Sequence, residues 1–243
     1  MKQFLISLGI LFIGLSFTND KPKKLKPTTG YHIDVKEPSD ICRNPKNDNY
    51  FVVSDNGFLH EMNIEGKILR TADFEGYDCE GVYAEGDLVY VVEEMVRKIR
   101  VFDNKSLELI RTVTIPYFGG RNKAYECITY NPKREVFIII TEKDPIILFE
   151  LDASLNTVNE IHLGKIARDI SGATYHNNAL WLLSDEDRQV IKVNPSNYEV
   201  QDRWVVPIVN PEGIAFTKEG DLLLVSDDME KLYSFNKPFE NAK

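Results

Sequence analysis

Short apolar runs that end on a carboxylate recur along the chain: FVVSD closes on Asp55, VVEE on Glu94, IIITE on Glu142, LLSD on Asp185 and LVSD on Asp227. A similar segment precedes each run, namely SDIC from Ser39, EGVY from Glu80, ECIT from Glu126, SGAT from Ser171 and EGIA from Glu212. Behind each run lies a third apolar, often alternating stretch, such as KIRVF from Lys98 or QVIKV from Gln189, and four of the units add a fourth, as in LIRTVTI and VQDRWVV. Alternation with a period of two, bounded by turn clusters such as NPKR at 131–134 and NPSN at 194–197, predicts strands joined by tight turns. No long stretch after the leader carries a helical period.

The spacing of about forty residues marks a repeat architecture. Each unit supplies four short strands, and the second strand is almost continuously apolar, as expected when neighbours cover both faces of a sheet. Four-stranded sheets repeated radially make a β-propeller. The predicted fold is therefore all-β: a five-bladed β-propeller of four-stranded antiparallel blades. The fifth unit ends after its third strand, so the unused piece YHIDV at 31–35 is expected to complete the last blade, His32 to Val35 supplying the outer strand. Closure of this kind joins the chain ends and removes an exposed edge.

Composition refines the ends of the chain. Residues 4–17 form an apolar run of signal-peptide length behind Lys2, short for a membrane span, and four lysines follow at 21, 23, 24 and 26. The expected organisation is a signal peptide or N-terminal anchor at 1–19, a Lys/Pro-rich linker at 20–29 and the propeller at 30–243. This predicts export to the periplasm or cell surface, with membrane contact only through the N-terminal segment. No Cys directly follows the run, so a lipoprotein anchor is not expected. A formal charge of -9 disfavours nucleic acid and other polyanions and favours cationic guests. Cys42, Cys79 and Cys127 are odd in number and without metal-ligand spacing, so they are expected to pack as buried thiols in inner strands.

Antiparallel order places the start of each innermost strand and the end of the next on one face of the disc. The channel mouth is thus predicted to collect Ser39, Ser171, Asp55, Glu94, Glu142, Asp185 and Asp227 together with Glu80, Glu126 and Glu212. Two unit charges about 5 Å apart at an effective dielectric near 20 repel by roughly 3 kcal/mol, so such a cluster needs neutralisation. One neutraliser is a hard cation such as Ca2+, which takes six to eight oxygen ligands. The other is local pairing: Glu94 with Arg97 or Lys98, Glu142 with Lys143, Asp185 with Arg188 and Asp227 with Lys231. Glu80, Glu126 and Glu212 have no such neighbour and are the candidate metal ligands. The histidines at 32, 60, 162 and 176 form no pair in the pattern, no GxSxG or phosphate-binding loop occurs, and no organic cofactor is expected.

The runs DCEGVY, YECITYNP, LWLLSDED and NPEGIAF with its downstream LLLVSDD resemble the SdiA-regulated family of bacterial envelope proteins, over residues 30–237. That resemblance implies a five-bladed propeller in the periplasm or at the cell surface. The chain is more distantly similar to calcium-dependent lactonases and esterases of the gluconolactonase and paraoxonase type, whose channel metal is held by inner-strand side chains, where Glu80, Glu126 and Glu212 would sit. Two readings stay open. The first is a monomeric, non-catalytic envelope propeller that binds a small molecule or an envelope protein at its mouth, with calcium there. The second is a calcium-dependent hydrolase of lactones or (phospho)esters.

Overall fold

The computed structural model describes residues 23–239 apart from 118 and 120–123, so the leader expected at 1–19 lies outside the described residues. Two strands precede the repeats, β1 (Lys23–Lys24) and β2 (Thr29–His32). The first blade is β3 (Pro38–Arg43), β4 (Tyr50–Ser54), β5 (Leu59–Met62) and β6 (Ile68–Thr71). The second is β7 (Cys79–Glu85), β8 (Leu88–Glu93), β9 (Lys98–Asp103) and β10 (Leu109–Thr114). The third is β11 (Tyr125–Asn131), β12 (Val136–Thr141), β13 (Ile147–Leu151) and β14 (Thr157–His162). The fourth contains β15 (Gly172–His176), β16 (Ala179–Ser184), β17 (Gln189–Val193) and β18 (Val200–Val205). The fifth takes β19 (Pro211–Phe216), β20 (Leu222–Ser226) and β21 (Lys231–Phe235), and β2 completes it. The protein is a five-bladed β-propeller.

Burial follows strand rank. Every residue of β4, β16 and β20 is buried, whereas β10 and β14 are exposed at nearly every position. The core consequently lies between blades. Tyr90 and Val92 of the second blade pack with Phe137, Ile139 and Phe149 of the third, and Ile138 and Ile140 of the third pack with Leu180 and Leu182 of the fourth. Each fully buried side chain of this size stabilises by about 1.5–3 kcal/mol, so the seams between blades carry most of the folding energy. Near the axis the inner strands approach closely. A Cβ on Gly81 would stand 2.9 Å from the Cys127 Cα, and one on Gly213 would stand 2.6 Å from the Asp40 Cα.

The closing strand lies slightly upstream of its expected position. β2 pairs antiparallel with β21, from Thr29 opposite Ser234 to His32 opposite Lys231, rather than over 32–35. Ile33 and Val35 leave the edge and are buried among Ile41, Val52 and Leu232, between the last and first blades. Burial of two apolar side chains outweighs their use on an outer strand, and pairing falls to the exposed TGYH segment. The described part of the segment expected as a linker is docked on the fourth blade: β1 runs parallel to β18, Lys23 opposite Trp204, and Lys23 forms an ion pair with Asp202. Cys79 and Cys127 are buried free thiols and Cys42 a half-buried one, all in inner strands.

Candidate functional site

An irregularity in pairing builds the mouth. The register between the first and second strands skips one residue at Ser39, Glu80, Glu126 and Glu212, so that Cys79 faces Glu93 while Gly81 already faces Val92. A bulge leaves its extra residue outside the ladder and re-aims the side chain. In the fourth blade Ser171 opens the strand, with its amide bonded to Leu183 O at 3.0 Å and its hydroxyl donating to Pro211 O at 3.0 Å.

Glu80, Glu126, Glu212, Ser171, Asp55, Glu94, Glu142, Asp185 and Asp227 line one cavity of about 260 Å³. Ser39 stands behind this lining and donates its hydroxyl to Asp55. None of the four histidines is among the lining residues. Asp78, Asp169 and Glu186 also line the cavity, together with, among the described residues, one base, Lys143. Asp78 and Asp169 carry a signal in the repeat two residues upstream of the inner-strand signature, where Glu37, Asp78, Ala124, Asp169 and Asn210 stand. The amide of each strand-closing acid bonds to this position. Asp55 N reaches Glu37 O at 3.1 Å, Glu94 N reaches Asp78 O at 2.9 Å, Glu142 N reaches Ala124 O at 3.2 Å and Asp227 N reaches Asn210 O at 3.2 Å. In the fourth blade the acceptor is a side chain, Asp169 Oδ2, at 3.3 Å from Asp185 N. Glu37, Asp78 and Asn210 hold φ of 51°, 58° and 48°, a left-handed conformation that Asn and Asp tolerate better than most residues.

The expected local neutralisation holds at one acid. Lys143 pairs with Glu142 and, at 3.1 Å, with Glu186. At Glu94 and Asp185 the downstream base closes the turn through its backbone: Arg97 N donates to Glu94 O at 3.0 Å and Arg188 N to Asp185 O at 3.1 Å, both arginines having positive φ. At Asp227 the turn is closed by Glu230 N at 2.9 Å, and Lys231 enters β21 opposite Ser226. Among the described residues, Glu94, Asp185 and Asp227 therefore have no ion pair within 4 Å. A base that spends its backbone on the turn need not return its side chain to the acid.

Unneutralised carboxylates respond by holding protons. Burial, then the charges of Asp55, Asp78, Glu212 and Glu94, pushes Glu80 well above the carboxylate range. Glu126 rises in the same way through burial and the charges of Glu80, Glu94 and Glu142, and Glu212 through burial and the charges of Asp185 and Asp227. Glu94 is raised to about 7 by burial, and hydrogen bonding to the Asp78 carboxyl adds to the rise, although the Ala124 amide at 2.6 Å partly opposes it. Asp185 is raised to about 7 by burial and by its hydrogen bond to the Asp169 carboxyl.

One group of acids has metal-binding dimensions. A carboxylate oxygen from each of Asp55, Asp78 and Glu80 lies within 4.8 Å of the other two. Two oxygens bound to one calcium at about 2.4 Å are separated by at most about 4.8 Å, so these three fit a shared hard cation. The trio differs from the expected Glu80, Glu126 and Glu212, because Asp55 and Asp78 come from the turns that flank the first two blades' seam.

The family model described as SdiA-regulated matches residues 24–236. Among solved structures, the chain is similar to the Myxococcus xanthus glutaminyl cyclase, with a TM-score of 0.70 and 13% identity over 89% of this chain and 98% of that one. It is also similar to the β-propeller domain of Cps50 (Swd1) from Myceliophteria thermophila, with a TM-score of 0.50 and 12% identity over 84% of this chain and 66% of that one. At such identities the likeness is one of fold.

Proposed function

The chain belongs to the SdiA-regulated family, and from that premise and the acidic mouth we propose that it is an exported envelope propeller that binds a cationic guest in its channel. The observation that carries this reading is the set of Asp55, Asp78 and Glu80 oxygens within 4.8 Å of one another, in a cavity whose lining is acidic apart from Lys143 and Ser171. A hard divalent cation, calcium first, matches an all-oxygen donor set and offsets the burial and like charge that raise the Glu80 carboxyl. When bound, such an ion supplies charge neutralisation, while the bulged strands and clipped turns hold the carboxylates in place.

Calorimetric titration of the purified chain with Ca2+, alongside metal analysis and melting with and without chelator, tests the proposal. Saturable binding that raises the melting temperature and is lost in Asp78→Asn supports it. A chain that takes up no divalent ion, and whose stability ignores chelator, refutes the metal.

A second reading, hydrolysis of lactones or (phospho)esters, is favoured by one feature. Asp185, raised to about 7 beside the buried Asp169, has the titration range of a general acid or base at neutral pH. A lactone and ester panel run with calcium decides it: turnover that falls at least a hundredfold in Asp185→Asn supports catalysis, and an inert panel leaves the binding module.

A further inference from the structure

The rim around the acidic cavity is divided by chemistry. Among the described residues, the exposed large apolar side chains of the mouth-face loops are Tyr77 at 66%, Met95 at 39%, Val209 at 50% and Met229 at 41% exposed. Tyr77 precedes Asp78 and Met95 follows Glu94, while the Val209 carbonyl accepts the Ser226 hydroxyl at 2.5 Å and Met229 occupies the turn after Asp227. All four belong to the arc spanned by the fifth, first and second blades. Across the mouth, between the third and fourth blades, a neighbouring cleft of mixed charge is lined by Lys143, Lys165, Arg168 and Arg203 with Asp144, Glu186 and Asp187, and Lys143 and Arg168 are paired with these acids.

An exposed arc of Tyr, Met and Val beside a funnel of carboxylates is costly to leave in water and is a usual mark of an interaction site. Two further facts define the guest. Glu80 and Glu212 line the cavity and, among the described residues, their side chains accept no hydrogen bond and enter no ion pair; burial and the neighbouring carboxylates are the main influences on them. At about 260 Å³ and with a mainly polar lining, the cavity is smaller and more polar than pockets that enclose drug-sized molecules, but it has room for one long basic side chain.

We infer that the mouth is a docking surface for a protein segment that inserts a lysine or arginine into the carboxylate funnel and lays flanking apolar side chains on Tyr77, Met95, Val209 and Met229. The inserted cation finds unpaired acceptors at Glu80 and Glu212, and the apolar flanks cover the exposed arc. Charge complementarity sets the choice of occupant: with a formal charge of -9, the chain repels acidic segments throughout approach. The inference rests on the proposed cation-binding mouth and adds to it the class of partner.

Selection of random heptapeptides on the purified full-length chain, with calcium chelated, tests it. The expected enrichment is for a single Lys or Arg flanked by apolar residues. The best peptide, synthesised with a fluorophore, is expected to lose at least tenfold in affinity when its basic residue becomes norleucine, and at least threefold against Val209→Ser or Met229→Ser, both judged folded by an unchanged calcium isotherm or melting temperature. No enrichment, enrichment without a basic residue, or rim variants that bind as tightly as the parent overturn the inference. Calcium binding that persists when peptide binding fails removes this partner class alone; loss of both removes the cation-binding mouth as well.

Discussion

Asp185 shares a hydrogen bond between carboxyl groups with Asp169, a residue only 1% exposed that also accepts the Ser184 hydroxyl at 2.5 Å. Burial first, and then this contact with a second carboxyl group, lets Asp185 keep its proton to higher pH.

The pH dependence of stability follows from that proton. Asp185 titrates at about 7 when folded, against an ordinary value of 3.8, and Glu94 at about 7 against 4.5. In the window between, the folded chain binds more protons than the unfolded one, so stability falls as pH rises. The contribution is fully present below about pH 4 and gone above about 7, and solvent trims it at Asp185, which is partly exposed, more than at Glu94, which is 4% exposed. Melting temperatures at pH 5, 6, 7 and 8 in chelator are expected to decline by several degrees, and calcium is expected to restore the loss at pH 8. A melting temperature that rises over this range would contradict the raised Asp185 and Glu94 carboxyls.

Among the described residues Lys143 is the one base lining the cavity, and it neutralises Glu142 and Glu186 at the expense of any incoming cation. A unit charge about 8 Å away at an effective dielectric near 20 is worth roughly 2 kcal/mol. Lys143→Gln is therefore expected to tighten calcium binding by about threefold or more after screening, measured by calorimetry at low salt. Weaker binding would show that Lys143 holds the acids in a binding geometry instead.

Glu150 braces the seam between the third and fourth blades away from the mouth. It accepts Arg134 Nη2 at 3.0 Å and the Tyr198 hydroxyl at 2.5 Å, and it is buried. Glu150→Ala leaves the Tyr198 hydroxyl without its carboxylate acceptor and frees Arg134, whose side chain is 37% exposed, and is expected to cost about 1–3 kcal/mol in denaturant unfolding. Calcium affinity is expected to stay within twofold, which separates this brace from the acids of the mouth.

Gly213 allows the fifth blade to approach the first. A side chain there meets the Asp40 Cα at 2.6 Å and the Val225 side chain at 2.7 Å, so Gly213→Ala forces backbone apart at the ring closure. Overpacking of this kind costs about 1–3 kcal/mol. Thermal denaturation is expected to show a loss of several degrees, while Gly86→Ala, where nothing stands within 4 Å of the added atom, is limited to the strain of its φ of 55°.

The propeller and its mouth were legible in the sequence because both follow from local, repeated rules. An apolar run capped by an acid, preceded by a Ser or Glu signature, fixes two antiparallel strands and the face on which their ends meet. The repeat also held the positions of Asp78 and Asp169, but they stand in connecting loops with no apolar period, so the strand pattern passed over them. What tertiary structure alone decided is which carboxylates meet and which remain unpaired. Arg97 and Arg188 are near Glu94 and Asp185 in sequence, yet the turn uses their amides, while Asp55, Asp78 and Glu80 converge from separate turns and strands. Periodicity determines the face to which a residue belongs, because it repeats with the backbone. Distances between side chains depend on bulges, left-handed turns and the packing of one blade on the next, and these are settled only when the ring closes.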